Sequence, residues 1–117
     1  MFNVAIIGGE DTEDYNFFKE RCIHFLSAKG KEERIVIYSY GDEFVKKFAS
    51  EFRITVNAIY ADWKAYGKDA LKVRNIEICK ECQGVIIFET PRNQKAVSHL
   101  RYTAEENAIP VRTVKHP

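Results

Sequence analysis

The sequence predicts an α/β fold, a parallel sheet with helices packed on both faces. Five short strand-like runs alternate with segments of helical periodicity, and no hairpin signal joins any two of the runs. Parallel strands need crossovers of this kind, and helical crossovers cover both faces of a sheet. At 117 residues, 45% apolar and 30% charged, the chain reads as one globular domain with enough material for a hydrophobic core.

The elements follow in order. Phe2 to Ile7 is a buried strand that ends in a tight turn at Gly8-Gly9. Glu10 to Asp14 is acidic and suits a helix N-terminus, and Tyr15, Phe18, Cys22, Phe25 and Leu26 then recur at helical spacing. Gly30 is expected to stop that helix. Arg34 to Tyr38 is the second strand. Ser39-Tyr40-Gly41-Asp42 turns the chain into a helix whose apolar stripe is Phe44, Val45, Phe48, Ala49 and Phe52. Thr55 to Tyr60 is the third strand and Gly84 to Phe88 the fourth. Thr90-Pro91-Arg92-Asn93 opens a helix carrying Ala96, Val97, Leu100 and Ala104, and Pro110 to Val114 is the fifth strand. No internal repeat, low-complexity segment or linker interrupts the series.

Between the third and fourth strands lies a stretch whose polarity packing does not explain. A helical pattern runs from it to Cys82, and Leu71, Ile78 and Cys82 share one stripe because they are spaced by seven and four residues. Arg74 and Asn75 fall in the gap of that stripe. An inward guanidinium and amide are costly unless they are hydrogen-bonded or line a cavity. Together with Asp62, Trp63, Tyr66, Gly67 and Lys68, they form the densest candidate site.

In open parallel sheets ligands bind beyond the carboxyl ends of the strands, near the point where strand order reverses. The loops expected along that edge are Gly8 to Thr12, Ser39 to Asp42, Asp62 to Lys68 and Glu89 to Gln94. From them, and from the helix that follows the third loop, the candidate ligand-binding residues are Gly8, Gly9, Glu10, Ser39, Tyr40, Gly41, Asp62, Trp63, Tyr66, Gly67, Lys68, Arg74, Asn75, Glu89, Thr90, Arg92 and Gln94. Gly8 and Gly9 would let the backbone approach a ligand, and Arg74 would supply charge-assisted hydrogen bonds. Asn75 would read a hydroxyl or base edge, and Trp63 or Tyr66 would cover an aromatic ring. Lys68 and Arg92 are candidate anion partners. Each also has a plain structural role available, as a helix cap, a tie between loops or a solvated charge.

Composition excludes several classes. A net charge of +1, from 18 basic and 17 acidic residues, provides no field for nucleic acid or an anionic membrane. No apolar run reaches the roughly 20 residues of a membrane span, and the chain enters its first strand without a signal-peptide pattern. Three cysteines, an odd number, suit a reducing cytoplasm. Cys79 and Cys82 form a lone C-x-x-C near a helix C-terminus, where the dipole disfavours a thiolate. They are expected to be buried structural thiols, with no metal site. His24, His99 and His116 show no triad pattern, and His99 alone is placed to join a site.

Ala61-Asp62-Trp63, Tyr66-Gly67-Lys68, Ala70 and Arg74-Asn75 resemble the A-D-W…Y-G-K-x-A…R-N signature of the YspA/cpYpsA-related branch of the SLOG superfamily. These are Rossmann-like domains related to the LOG nucleotide hydrolases and to the DNA-processing protein DprA. The element order is similar over nearly the whole chain, including Ile109-Pro110-Val111. The resemblance implies a three-layer α/β/α sandwich with strand order 3-2-1-4-5, a nucleotide-like ligand and a homodimer or higher homo-oligomer. No separate cofactor is expected. The chain departs from the family in three places. Gly8-Gly9-Glu10 stands where the family has G-S-R, and Ser39-Tyr40-Gly41-Asp42 replaces a glycine-rich S-G-G-A-R-G-A-D. Gln94-Lys95-Ala96-Val97 replaces S-x-G-T. Glycine-rich loops cradle phosphate through bare backbone amides, so family-like phosphate handling is put in question.

Three functional readings follow. The first is a sensor or binding module for a nucleotide or nucleotide-derived small molecule. The second is a LOG-like hydrolase of an N-glycosidic bond, with Glu10 or Glu89 as the carboxylate. The third is a degenerate domain that acts as a protein-interaction module. Single-stranded nucleic-acid binding, suggested by DprA, would need a basic groove with stacking aromatics, which the net charge opposes.

Overall fold

A computed structural model of the chain describes residues 1–115, so His116 lies outside the described residues. Strand β1 (Phe2–Ile7) ends in a 3-10 turn over Gly9–Thr12, followed by helix α1 (Tyr15–Glu32). Then come β2 (Ile35–Ser39), α2 (Glu43–Phe52), β3 (Thr55–Ala58) and the one-turn helix α3 (Trp63–Tyr66). Helix α4 (Ala70–Glu81), β4 (Gly84–Glu89), α5 (Gln94–Glu106) and β5 (Val111–Lys115) complete the chain. The five strands form one all-parallel sheet in the order β3-β2-β1-β4-β5. This is the predicted Rossmann-like three-layer sandwich.

Alternation along the central strands builds both layers. Val4 and Ile6 of β1 face one side with Ile37 and Ile86, and pack against Phe18, Cys22 and Leu26 of α1 and Val45 and Phe48 of α2. Ala5 and Ile7 face the other side with Val85 and Ile87, against Ile78 and Cys79 of α4 and Val97 and Leu100 of α5. Every residue of β4 is buried, as a strand covered on both faces must be. Among the described residues, no helix is long and apolar enough to cross a membrane.

Some boundaries differ from expectation. The acidic segment is not the first turn of α1. It forms its own 3-10 turn, and Asp14 caps α1 by accepting from the Phe17 amide at 3.1 Å. Gly30 does not stop α1, which continues to Glu32 and ends where Glu33 becomes extended. β3 ends at Ala58 rather than Tyr60, and the Tyr60 ring instead lies against Gly41. Leu71 is 41% exposed. The inward position at the start of α4 is taken by Ala70, 1% exposed, and Leu71 lies outside the buried face. The buried positions of α4 are Ala70, Asn75, Ile78 and Cys79.

Candidate functional site

The chain leaves β1 toward β2 on one side and returns to β4 on the other, so strand order reverses between β1 and β4. A cleft of about 250 Å³ opens over the carboxyl ends of these strands. Ile6, Ile7 and Gly8 form its floor, with walls from the β2–α2 loop, the start of α5 and Arg74 of α4. Its position follows from the topology.

The glycines at the end of β1 serve the chain's own packing. Gly8 has φ 84°, a left-handed conformation that side chains disfavour. A Cβ there would run into the Phe88 carbonyl and come within 2.7 Å of Asn93 Nδ2. At Gly9 a Cβ would meet the Phe18 ring at 2.7 Å. Both glycines are therefore required before any ligand is considered, and Gly8 alone of the two lines the cleft.

Three carboxylates face this space, and the chain itself fixes each one. Asp42 caps α2, with Oδ1 accepting from the Phe44 amide at 2.8 Å and from Val45 at 3.3 Å. Its Oδ2 accepts from the Glu10 amide at 3.0 Å. Glu10 in turn accepts from the Glu43 amide at the start of α2. Asp11 accepts from Asn93 Nδ2 at 2.7 Å, and the same nitrogen bonds the Phe88 carbonyl at 2.8 Å. Burial raises the Asp42 carboxyl above its ordinary value, opposed by the backbone N–H groups that bond it.

Arg74 is the cation of the cleft lining. Its guanidinium lies over the Tyr40 ring, 3.3 Å from the centroid, and its Nε is buried without a hydrogen-bond partner. Beneath it runs a part-buried chain of polar groups centred on Asn75. The Tyr40 hydroxyl donates to Asn75 Oδ1, and Asn75 Nδ2 stands 3.0 Å from His99 Nδ1. With Asn75 in this orientation, His99 accepts at Nδ1, which places its proton on Nε2. Asn75 is 3% exposed, so the gap in the apolar stripe marks an inward amide with both ends bonded. Burial pushes the Tyr40 hydroxyl up to about 12, with the Arg74 charge pulling the other way. Buried Ser39 accepts from the Gly41 amide at 3.1 Å and so fixes the turn that carries Tyr40.

The remaining candidates divide. Asp62 and Tyr66, with Tyr60 and Glu77, line a second hollow of about 210 Å³ that shares Arg74 with the cleft. Asp62 also caps α3 through the Ala65 amide at 3.0 Å. Trp63 is 57% exposed and lines neither space, and Gly67 and Lys68 lie on the same exposed turn. Glu89 is buried against Arg101 at 2.6 Å, with Lys115 at 3.9 Å, and does not line the cleft. Thr90 is buried, Arg92 pairs with Glu13, and Gln94 is exposed outside the cleft lining. Asp11, Asp42 and Asn93 belong to loops the sequence marks for the site, although no pattern singles them out. Tyr60 escapes notice because its position continues an apolar run.

A larger hollow, about 510 Å³, opens at the opposite edge of the sheet among Phe2, Phe25, Leu26, Gly84 and Arg112. It lies at the amino ends of β1 and β4, opposite the carboxyl ends where such sheets bind ligands, and its Lys29 is placed over the Phe2 ring at 5.4 Å. Cys79 and Cys82 are buried near the end of α4, and burial raises both thiols, that of Cys82 to about 12. Among the described residues, no group of three or more His, Cys, Asp or Glu is placed to hold a metal ion. No protein-family model matches the chain, and no curated protein matches it.

Proposed function

We propose that the protein binds a nucleotide-derived small molecule in the cleft over β1 and β4, as a sensor or binding module. The observation that carries this reading is Arg74. Its guanidinium is stacked on Tyr40, its Nε has no partner within the chain, and it stands between the cleft and the hollow of Tyr60 and Tyr66. Arg74 lines both spaces, so the reachable part of its guanidinium is placed to donate to a ligand acceptor. The two spaces suit the two parts of a nucleoside. Tyr60 and Tyr66 offer ring faces for a base, and Glu10 and Asp11 offer acceptors for sugar hydroxyls. Glu89, one of two carboxylates available to a hydrolase, is already paired with Arg101, which favours binding over N-glycosidic cleavage.

Thermal-shift screening of nucleosides and nucleotides tests the proposal. A ligand at a hundredfold excess over its Kd stabilises the fold by about 2.7 kcal/mol, roughly 10 °C in Tm for a chain of this size. The shift should shrink in Arg74→Ala. An equal shift in wild type and in a folded Arg74→Ala protein would place the site elsewhere. Silence across the whole panel would favour the interaction-module reading.

A further inference from the structure

Resting on the reading just proposed, we infer that the cleft selects a phosphate-free, hydroxyl-bearing nucleoside over the corresponding polyphosphate. Doubly wound sheets bind phosphate where helix N-termini and the first loop present free backbone amides. Here several of those amides already hold anions of the chain. The Glu10 amide bonds Asp42, the Glu43 amide bonds Glu10, and the Phe44 and Val45 amides bond Asp42 again. At α1 the Phe17 amide bonds Asp14. Just before α5, the side chain of Asn93 is held by Asp11 and the Phe88 carbonyl.

This capping has an electrostatic consequence. Glu10, Asp11 and Asp42 all line the cleft, and Arg74 is the cation set against them, so the lining is net negative. A triphosphate entering this space would meet like charge at close range, where juxtaposed anions cost much of the binding. A sugar hydroxyl meets the opposite situation. Glu10 commits one carboxylate oxygen to Glu43 and Asp11 one to Asn93, which leaves each a second oxygen to accept from a ligand. Two adjacent carboxylates matched to a vicinal diol form strong, charge-assisted hydrogen bonds without bringing a second anion into the cleft. The Arg74 guanidinium, which lines the cleft, then meets a neutral acceptor, such as a ring nitrogen or carbonyl of the base.

Isothermal titration of the wild-type protein with adenosine, guanosine, cytidine and uridine, and with their 5′-triphosphates, decides the matter. At least one nucleoside should bind about tenfold or more tightly than its triphosphate, since like-charge juxtaposition costs on this scale. The preference should fall toward unity in the Glu10→Gln/Asp11→Asn double variant, once circular dichroism shows that it is folded. A triphosphate binding as tightly as its nucleoside to wild type would overturn the inference and leave the binding proposal standing. A preference unchanged in the folded double variant would also overturn it. If none of these compounds binds, the binding proposal fails and the inference fails with it.

Discussion

Asn75 is a small side chain on which the order of the candidate site depends. Its carbonyl accepts from Tyr40 and its amide nitrogen meets His99, so one residue ties β2–α2, α4 and α5 together beneath Arg74. Asn75→Ala leaves the part-buried Tyr40 hydroxyl and His99 Nδ1 without their partner. A loss at or below the roughly 1–3 kcal/mol of a fully buried stranded group is expected for each. Tyr40→Phe keeps the ring under Arg74 and removes only the hydroxyl. If the pair acts as a unit, urea unfolding of both single variants and the double variant will give a coupling energy of about 0.5–3 kcal/mol. Additive losses would show that the two groups are held independently. The sequence made Asn75 and Arg74 legible because polar residues interrupted an apolar stripe. It misplaced Leu71, since the inward position at the start of α4 is taken by its neighbour Ala70, and a stripe of large apolar residues gives no sign of that. It also gave Trp63 a ligand role that the structure does not support with any cleft contact. An aromatic on a short exposed helix looks the same in sequence as one in a pocket.

At the scale of elements, α1 tests how far local signals can be trusted. Gly30 lies within the helix, and termination comes three residues later at Glu33. A glycine inside a helix carries a backbone-entropy penalty of roughly 0.5–1 kcal/mol relative to alanine. At Gly30 an added Cβ would rest 3.4 Å from Ile35 Cδ1, an ordinary contact. Gly30→Ala is therefore expected to stabilise the protein by that amount, seen as a higher urea midpoint with an unchanged slope. Gly8→Ala makes the opposite case. There the φ of 84° and the Phe88 carbonyl leave no room, so a loss larger than the roughly 1–3 kcal/mol of a strained backbone position is expected. The central strands β1, β2 and β4 were readable because buried parallel strands are continuous apolar runs. The edge strands β3 and β5 carry exposed polar residues and were readable from the alternation of elements. The ends of elements were less readable, since tertiary contacts such as Tyr60 against Gly41 decide them.

On the scale of the whole molecule, two apolar layers enclose titratable groups that must remain neutral. Cys22 is fully buried between α1 and the sheet, and Cys79 and Cys82 lie in the opposite layer. Burial pushes all three thiols up, Cys82 to about 12, and pushes Tyr40 to about 12 as well. In the unfolded chain these groups ionise near 9 for the thiols and 10 for tyrosine. Below those values both states carry the same protons, and stability does not depend on them. Above them the unfolded chain releases protons that the folded chain retains, so folding weakens as pH rises. The window opens near pH 9 with the thiols, is joined near pH 10 by Tyr40, and extends to about 12. Within it each group contributes a slope of up to about 1.4 kcal/mol per pH unit. Urea unfolding should give a flat midpoint from about pH 7 to pH 8.5 and a steep fall by about pH 11. Cys82→Ala should flatten that fall even though it lowers stability at neutral pH, because it removes one of the groups forced to stay protonated. An alkaline fall identical in wild type and Cys82→Ala would mean that the Cys82 thiol is not held neutral by the core.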